Sequence, residues 1–223
     1  MYTDDDLQRI YNEPYFKTRY PHPEMWTNRA KFVIRKFAPK KVLDVGCSTG
    51  LLVKALVDLG IDAYGVDGSD YALSHAHPSI ADRVKKVNLE TDSMPFADSS
   101  FDIVTGFYVT EHIHAIDHFA DEVHRILVKN GVAWFITPDG DRQGGRNEAD
   151  VNTNTFGQWK EIFGRHGLEA RKLSHYGFMT LRGRLGFLGL YRLPEPLQTW
   201  VKIAIYKVVN QFITKELSFI IIK

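Results

Sequence analysis

The stretch Val42-Leu-Asp-Val-Gly-Cys-Ser-Thr-Gly50 decides the fold of this chain. Its first four residues form a short apolar run that stops at Gly46, and leucine and valine then recur at helical spacing over 51–59. Glycine at 46 and 50 lets the backbone turn sharply and approach a ligand closely, because no Cβ is in the way. The stretch therefore predicts a strand, a tight turn and a helix whose first amides can hold an anionic group.

Short apolar runs alternate with helical patterns along the following hundred or so residues. Further strand candidates are 63–66, 84–88, 101–106 and 132–137, and helical spacing is clear over 116–128 and 156–163. Such alternation is typical of βαβ units and a mostly parallel sheet. Ligands bind such a sheet at the carboxyl ends of its strands, so the residues just after each strand matter most.

The composition is that of a soluble globular protein of one large domain, or of one domain with an insertion. Hydrophobic residues make up 44% of the 223 residues, charged residues make up 25%, and the net charge is +1. This balance gives no case for nucleic-acid binding. The N-terminal MYTDDDLQRI lacks the apolar core of a signal peptide, and no stretch reaches the roughly 18 apolar residues of a spanning helix. We interpret the protein as cytoplasmic.

A second chemical feature follows the next predicted strand. Asp67 ends the run 63–66, at a place where a carboxylate can accept hydrogen bonds from both hydroxyls of a ribose. The alternative is that Asp67 caps a helix, a role that 68–70 (Gly-Ser-Asp) can share. The Gly-rich turn and Asp67 together favour a nucleoside-containing cofactor, either a dinucleotide or S-adenosylmethionine.

The spacing of the glycines separates these two cofactors. A dinucleotide loop prefers Gly-x-Gly-x-x-Gly, whereas this loop reads Gly46-Cys-Ser-Thr-Gly50. It resembles motif I of the class I S-adenosylmethionine-dependent methyltransferases of the small-molecule type. Five later segments resemble the same family in the same order: 64–67 (YGVD), 87–90 (VNLE), 94–102 (MPFADSSFD), 110–113 (TEHI) and 127–132 (LVKNGV). The resemblance covers residues 30–175, and 217–222 is similar to the family's last strand.

This resemblance implies an α/β fold, a Rossmann-like doubly wound sheet of seven strands, mostly parallel with an antiparallel last strand. It implies S-adenosyl-L-methionine as cofactor and S-adenosyl-L-homocysteine as product. The cofactor-binding positions that it implies are Asp44, Gly46, Cys47, Ser48 and Gly50 at the methionine end, Asp67 and Gly68 at the ribose, Asn88 and Leu89 at the adenine, and Phe107 and Tyr108 near the methyl group. The family often has Gly where Ser48 stands and Asp where Asn88 stands.

Three histidines close to the fourth strand raise the question of a metal site. On a helix His114 and His118 share a face and His112 does not, and no matching acidic or Cys ligands stand nearby, so we predict none. The family's Glu-His pair, here Glu111 and His112, lies beside the cofactor. Both are our candidates for catalytic acid–base residues, with a role in shaping the cofactor site as the alternative for His112.

The sole cysteine, Cys47, raises the question of a nucleophile. No base is paired with it in the sequence, so we interpret it as part of the cofactor loop. One cysteine also excludes an intramolecular disulfide.

The N-terminal forty residues are rich in aromatic residues and proline, and a helix is predicted from Met25 to Phe37. The rings either pack this segment onto the main domain or line a substrate pocket. We divide the chain into an N-terminal cap segment, 1–40, a cofactor-binding core, 41–176, a basic and apolar helical insertion, 177–215, and a last strand, 216–223.

The insertion carries much of the basic charge. Residues 151–223 hold 11 Lys/Arg against 4 Asp/Glu, and apolar residues recur at i, i+3, i+4 and i+7 over 197–213. This face can cap the domain itself, form a homodimer through 181–213, or make a peripheral contact with an anionic membrane.

The function predicted from these features is transfer of a methyl group to an O, N or C nucleophile of a small-molecule or lipid-like acceptor. The alternatives are a nicotinamide-dependent oxidoreductase and a methyltransferase-like protein that binds without catalysis. No nucleic-acid partner is expected.

Overall fold

A single seven-stranded sheet organises the protein in this computed structural model, which describes residues 1–17, 23–141, 150–173 and 216–223. The strand order is β3-β2-β1-β4-β5-β7-β6. The strands are β1 (Lys41–Val45), β2 (Asp62–Asp67), β3 (Val84–Lys86), β4 (Phe101–Phe107), β5 (Leu127–Pro138), β6 (Glu169–Lys172) and β7 (Glu216–Ile222). Strands β1 to β5 pair in parallel, and β7 runs antiparallel to both β5 and β6. The predicted α/β fold with an antiparallel last strand is confirmed.

Seven α-helices accompany the sheet in the described ranges. They are α1 (Asp4–Ile10), α2 (Glu13–Lys17), α3 (Pro23–Phe37), α4 (Leu51–Asp58), α5 (Asp70–Ser74), α6 (Ile116–Ile126) and α7 (Phe156–Arg165). Local chemistry fixes several starts: Thr3 and Thr155 each form a capping box with the residue three positions on, Asp6 and Gln158. Proline at 39 ends the predicted helix of the cap segment as expected, because the residue before a proline disfavours the helical region.

The two faces of the sheet carry separate cores. Alternate strand residues point to opposite faces, so Val42 and Trp134 pack with α3 and α4, while Leu43 and Phe135 pack with α6 and α7. This two-sided cover is the doubly wound arrangement that the sequence predicts, and it leaves the strand ends as the place for ligands.

The boundary between α6 and β5 differs from the sequence prediction. The helix ends at Ile126 rather than at 128, and β5 begins at Leu127 rather than at 132. Leu127 is extended and pairs with Phe101, and the pairing then shifts before Ile103 meets Val132. Asn130 has a φ of +63°, so the intervening turn-like residues interrupt the apolar pattern that marks the strand.

The predicted 177–215 insertion, with its apolar face and its possible dimer or membrane contacts, lies outside the described residues. In the described ranges, no helix combines the length and apolar character needed to cross a membrane.

Candidate active site

A cavity of about 530 Å³ lies at the carboxyl ends of β1 to β4. Every predicted site residue except Asp44 and Gly50 lines it, including both acid–base candidates, Glu111 and His112. Residues that the sequence reasoning did not select, above all Arg29 and Asp150, complete the wall. The sheet therefore gathers residues that are dispersed along the chain, as expected for parallel strand ends.

The loop after β1 is a tight, left-handed turn. Gly46, Ser48 and Gly50 have φ values of +67°, +53° and +72°. A Cβ on Gly46 would lie 2.7 Å from a methyl of Val109, and one on Gly50 would lie 2.6 Å from Ile80. Gly50 is buried against Ile80 and starts α4, which explains why it is absent from the cavity wall although the loop was predicted correctly as a turn.

Asp67, the last residue of β2, organises the neighbouring loops. Its carboxylate accepts hydrogen bonds from the backbone amides of Ser48 at 2.7 Å and Ser69 at 2.9 Å. The cap of α5 is Ser69 rather than Asp67, because the Ser69 hydroxyl accepts from the amide of Ala72. Burial raises the pKa of Asp67 above its usual range, against the backbone hydrogen bonds. A carboxylate has about four lone-pair sites, so capacity for ribose hydroxyls is left.

Asp44 is buried behind the wall and does not line the cavity. Its carboxylate accepts a hydrogen bond from the Thr105 hydroxyl at 2.7 Å. Burial raises the pKa of Asp44 to about 7, while the Thr105 hydrogen bond and the charge of Arg29 act in the opposite direction. A cationic group bound close by would favour its ionised form.

Asn88 ties the cavity wall to the start of the chain. Its side-chain amide nitrogen donates to the Tyr2 carbonyl and to Asp4, and its oxygen accepts from the amide of Glu90 at 3.0 Å. One acceptor site on that oxygen is thus used inside the protein, and the other is the site that our adenine prediction requires.

The N-terminal cap segment is fastened across the end of β2. Gln8 donates to the Gly68 carbonyl and accepts from the amide of Asp70, both at 2.8 Å. The Ser69 hydroxyl donates to the Tyr11 carbonyl at 2.6 Å. Five aromatic residues of the segment line the cavity: Tyr2, Tyr11, Tyr15, Phe16 and Trp26. The interpretation that they form a substrate pocket stays a prediction. Tyr20 lies outside the described residues.

Arg29 is a buried cation on the inner face of α3. It is 2% exposed, and its guanidinium carbon lies 4.5 Å from the ring centre of Trp26 and 4.8 Å from that of Phe107. The residue falls on the face that also presents Ala30 and Val33, and only this position on an apolar face could have drawn attention to it in the sequence. A guanidinium in such a wall can bind a carboxylate or phosphate through two parallel hydrogen bonds.

Tyr108 follows β4 in a left-handed conformation, with a φ of +58°. Its hydroxyl donates to Glu216 on β7 at 2.6 Å, so the end of β4 is held by a residue remote in sequence. This bond fixes the ring at the cavity wall near Phe107 and Arg29.

Glu111 and His112 lie in a short 3-10 turn after β4, Thr110–His112. The Glu111 carboxylate is 2% exposed and accepts from the Thr137 hydroxyl at 3.2 Å. The Nδ1 atom of His112 lies 3.4 Å from Oδ1 of Asp150. Sequence reasoning could not find Asp150, because it stands in no recognisable motif and meets His112 only through the fold.

The other candidate side chains, Cys47, His114 and His118, lie in surroundings that suit a structural role. Burial raises the pKa of the Cys47 thiol well above its usual range, with Asp67 and Asp44 adding to the effect, so the thiol is protonated and a poor nucleophile. His114 contacts Glu90, and His118 contacts the carbonyl of Asp92. Across the described ranges, no group of three or more His, Cys, Asp or Glu side chains could hold a metal ion.

Comparison with known proteins finds a family similarity within the core. Residues 43–135 match the family model described as "Methyltransferase domain". The ubiquinone biosynthesis O-methyltransferase of Pelagibacter ubique is 30% identical over 99 residues, which is 44% of this chain and 41% of that protein. The matched stretch spans less than half the length of this and the other first curated relatives.

Solved structures share the fold over nearly the whole chain. Geranyl diphosphate C-methyltransferase from Streptomyces coelicolor, solved with Mg²⁺, geranyl diphosphate and S-adenosyl-L-homocysteine, has a TM-score of 0.62 at 14% identity and covers 98% of this chain and 96% of that one. Phosphoethanolamine N-methyltransferase 2 of Haemonchus contortus, solved with S-adenosyl-L-methionine, has a TM-score of 0.61 at 18% identity and covers 100% and 60%. These three proteins are named for methylation at oxygen, carbon and nitrogen respectively, so their names do not agree on an acceptor atom.

Proposed function

We propose that this chain, which contains a methyltransferase domain of the class I S-adenosylmethionine-dependent family, transfers the methyl group of S-adenosyl-L-methionine to a small-molecule or lipid-like acceptor. The observation that carries the proposal is the cavity itself, in which the loop after β1, Asp67 and Asn88-Leu89 meet at neighbouring strand ends. A nucleoside-containing cofactor needs these contacts together, and a tight turn alone would not require them.

The residues present fit the cofactor in shape and charge. Gly46 lets the backbone come close, the Asp67 carboxylate has acceptor capacity for the ribose, and Gly68 and Leu89 offer an apolar edge for the adenine. We assign the methionine carboxylate to the Arg29 guanidinium, since it is a buried cation in the same wall. We call Gly46–Ser48, Asp67–Gly68 and Asn88–Leu89 the donor wall.

The cofactor supplies an activated methyl group, and the protein aligns it with the acceptor atom. Buried Phe107 and the neighbouring Tyr108 place aromatic rings beside the proposed transfer step, at the end of β4. Methyl transfer from a sulfonium would remove its positive charge, so apolar rings at this place would favour the transition state over the bound cofactor.

The acceptor is assigned to a second group of residues that line the same cavity. Tyr11, Tyr15, Phe16 and Trp26 line it together with His112 and Asp150, and we call these residues the acceptor wall. Aromatic rings with a few polar groups suit a small, largely apolar molecule. The names of the curated relatives and of the solved neighbours, which include enzymes of ubiquinone, sterol and geranyl diphosphate methylation, support an acceptor of this class.

Calorimetric titration with S-adenosyl-L-homocysteine and, separately, with NAD⁺ tests the proposal. We expect one site for S-adenosyl-L-homocysteine and none for NAD⁺, because the loop lacks the Gly-x-Gly-x-x-Gly spacing that seats a pyrophosphate. Binding of NAD⁺ alone would indicate an oxidoreductase. Binding of S-adenosyl-L-homocysteine without methyl transfer to any compound of a broad acceptor panel would indicate a non-catalytic protein.

A further inference from the structure

His112 and Asp150 form a polar pair inside an otherwise aromatic wall. Their side chains are 13% and 5% exposed, and Nδ1 of His112 lies 3.4 Å from Oδ1 of Asp150. Catalytic hydrogen bonds are often this long in unliganded enzymes and shorten when the substrate binds. Both residues line the cavity, so the pair can reach a molecule held there.

Three hydrogen bonds hold the segment that carries Asp150 against the turn that carries His112. The Glu111 carbonyl accepts from the amides of Val151 at 2.8 Å and Asn152 at 2.9 Å. The side-chain amide of Asn152 donates to the carbonyl of Ile113. The residues on either side of His112 are thus joined to the two residues after Asp150. These hydrogen bonds hold the backbone so that His112 and Asp150 face each other.

A carboxylate at Nδ1 determines which ring nitrogen of histidine is basic. It favours the tautomer with the proton on Nδ1, so the lone pair is on Nε2 at the other side of the ring. The same carboxylate stabilises the imidazolium that forms when Nε2 takes up a proton. Asp150 is therefore suited to act through His112 rather than on a substrate directly.

We propose that His112 is the general base of this methyltransferase and Asp150 its positioning residue, and that the acceptor atom is a phenolic hydroxyl oxygen. This inference rests on the proposed function. The oxygen attacks the methyl carbon, the O–C bond forms as the C–S bond breaks, and the hydroxyl proton passes to Nε2 of His112 and then to solvent. The sulfonium charge is neutralised in the same step, so one proton is released for each methyl group transferred.

The surroundings favour a phenol over other nucleophiles. A phenol has a pKa near 10, within the range in which a histidine base speeds proton removal usefully. The Tyr11 ring lies 6.1 Å from the His112 ring, so a flat acceptor beside the histidine would meet other rings. A carbon–carbon double bond carries no proton on the attacking electron pair, and it would not need a base at this point. Glu111, Arg29, Asp67 and Glu90 are the other charged groups among the described residues that line the cavity.

The first test needs no acceptor. In protein with ¹³C-labelled histidine rings and saturating S-adenosyl-L-homocysteine, NMR titration follows the His112 ring signal, identified by its loss in His112→Gln. We expect Asp150→Asn to lower the pKa of His112, because a nearby carboxylate favours the charged ring. Asp141→Asn, the same change at an exposed residue away from the cavity wall, is the control and should leave that pKa where it was. An unchanged pKa in Asp150→Asn overturns the pairing.

The second test follows methyl transfer from labelled S-adenosyl-L-methionine to catechol, phenol and 3,4-dihydroxybenzoate, with aniline and indole as nitrogen and carbon nucleophiles. We expect transfer to a phenolic oxygen, a fall in kcat of about a hundredfold or more in His112→Gln, and a smaller fall of about tenfold in Asp150→Asn. The lower inflection of the pH–kcat profile should move to lower pH in Asp150→Asn and return in Asp150→Glu.

Two results would overturn the inference while leaving the proposed function intact. One is transfer to aniline or indole alone, and the other is transfer to none of the three phenols by protein that binds S-adenosyl-L-homocysteine. Failure of S-adenosyl-L-homocysteine to bind the wild-type protein would instead remove the proposed function itself, so the two failures are distinguishable.

Discussion

The donor wall and the acceptor wall of the cavity are held in different ways. The donor wall belongs to strand ends and to the loops that directly follow them, and backbone pairing of β1, β2 and β3 fixes it. The acceptor wall comes from the N-terminal helices and from the residues around Asp150, and side-chain hydrogen bonds such as those of Gln8 and Asn88 fasten part of it to the sheet. Most of the proposed cofactor-binding part of the site is thus built into the sheet and its loops, while the proposed acceptor part is attached separately.

Substitution of Asp67 tests the donor wall and should have the largest effect of these predictions. Asp67→Ala removes the proposed ribose contacts as well as the bonds to Ser48 and Ser69, and we expect at least a tenfold loss of S-adenosyl-L-homocysteine affinity, about 1.4 kcal/mol. Calorimetry measures it, with circular dichroism to show that the variant is folded. Asp70→Asn, which alters only an exposed pair with Lys86, is the matched control. Equal affinities in a folded Asp67→Ala would remove Asp67 from the site.

The pH dependence of cofactor binding tests Asp44, which is buried behind the donor wall. The pKa of Asp44 is about 7 in the protein without cofactor, and a cationic cofactor favours the ionised carboxylate. Binding should therefore release a proton, and the affinity for S-adenosyl-L-methionine should rise by about fivefold from pH 6 to pH 8. The folding stability of the protein without cofactor should change with pH in the direction opposite to the affinity. The pKa of Asp44 is raised in the folded state, so the stability that its protonated form contributes is lost as pH rises through about 7.

Asp44→Asn provides the check on this assignment. The asparagine oxygen can still accept the hydrogen bond from Thr105, so the fold should be kept while the titration disappears. Calorimetry in buffers of different ionisation enthalpy counts the protons released. The same pH slope in Asp44→Asn as in the wild type would assign the proton to another group.

The junction of the two walls is tested at Gln8. Gln8→Ala deletes two hydrogen bonds between α1 and the residues after β2, one part-buried and one exposed. We expect S-adenosyl-L-homocysteine to dissociate about threefold faster, because the cap segment is held less firmly over the cofactor edge. Stopped-flow displacement measures the rate, and Arg9→Ala, whose ion pair with Asp6 is exposed, serves for comparison. A rate equal to that of Arg9→Ala would mean that the cap segment does not control release.

The smallest effect is expected outside both walls. Burial alone would lower the pKa of His166, but Asp117 and Asp121 on α6 raise it above its usual value. A raised pKa means stability that is present below pH 6.5 and lost as pH rises through the folded value. Because both carboxylates are mostly exposed, we expect at most about 0.5 kcal/mol, seen in urea unfolding at pH 5.5 and 8.5 and absent in His166→Gln. Cofactor affinity should not change in this variant.

The difference between the walls also explains what the sequence could predict. The turn at 46–50 and the aspartate that ends β2 are local patterns, so they were recognisable without the fold, and the mostly parallel sheet followed from the alternation of strands with helices. Arg29 depends on which face of α3 meets the sheet, and Asp150 depends on a contact formed by the backbone of residues 151 and 152. The start of β5 was misplaced because Asn130 and Gly131 interrupt its apolar pattern. The roles of the site residues stay predictions until the variants are measured.

Strand β7 has a consequence for how the molecule is assembled. It lies between β5 and β6, and within the described ranges β6 pairs with β7 alone. The unit of α7 and β6 can therefore join the sheet only after residues 216–222 have paired with β5. Strands β6 and β7 are far apart in sequence, and pairings that close a long loop form slowly. Glu216, which holds Tyr108, arrives in the same event. A chain in which residues 216–222 had not paired would therefore lack the hydrogen bond that holds Tyr108 at the cavity wall.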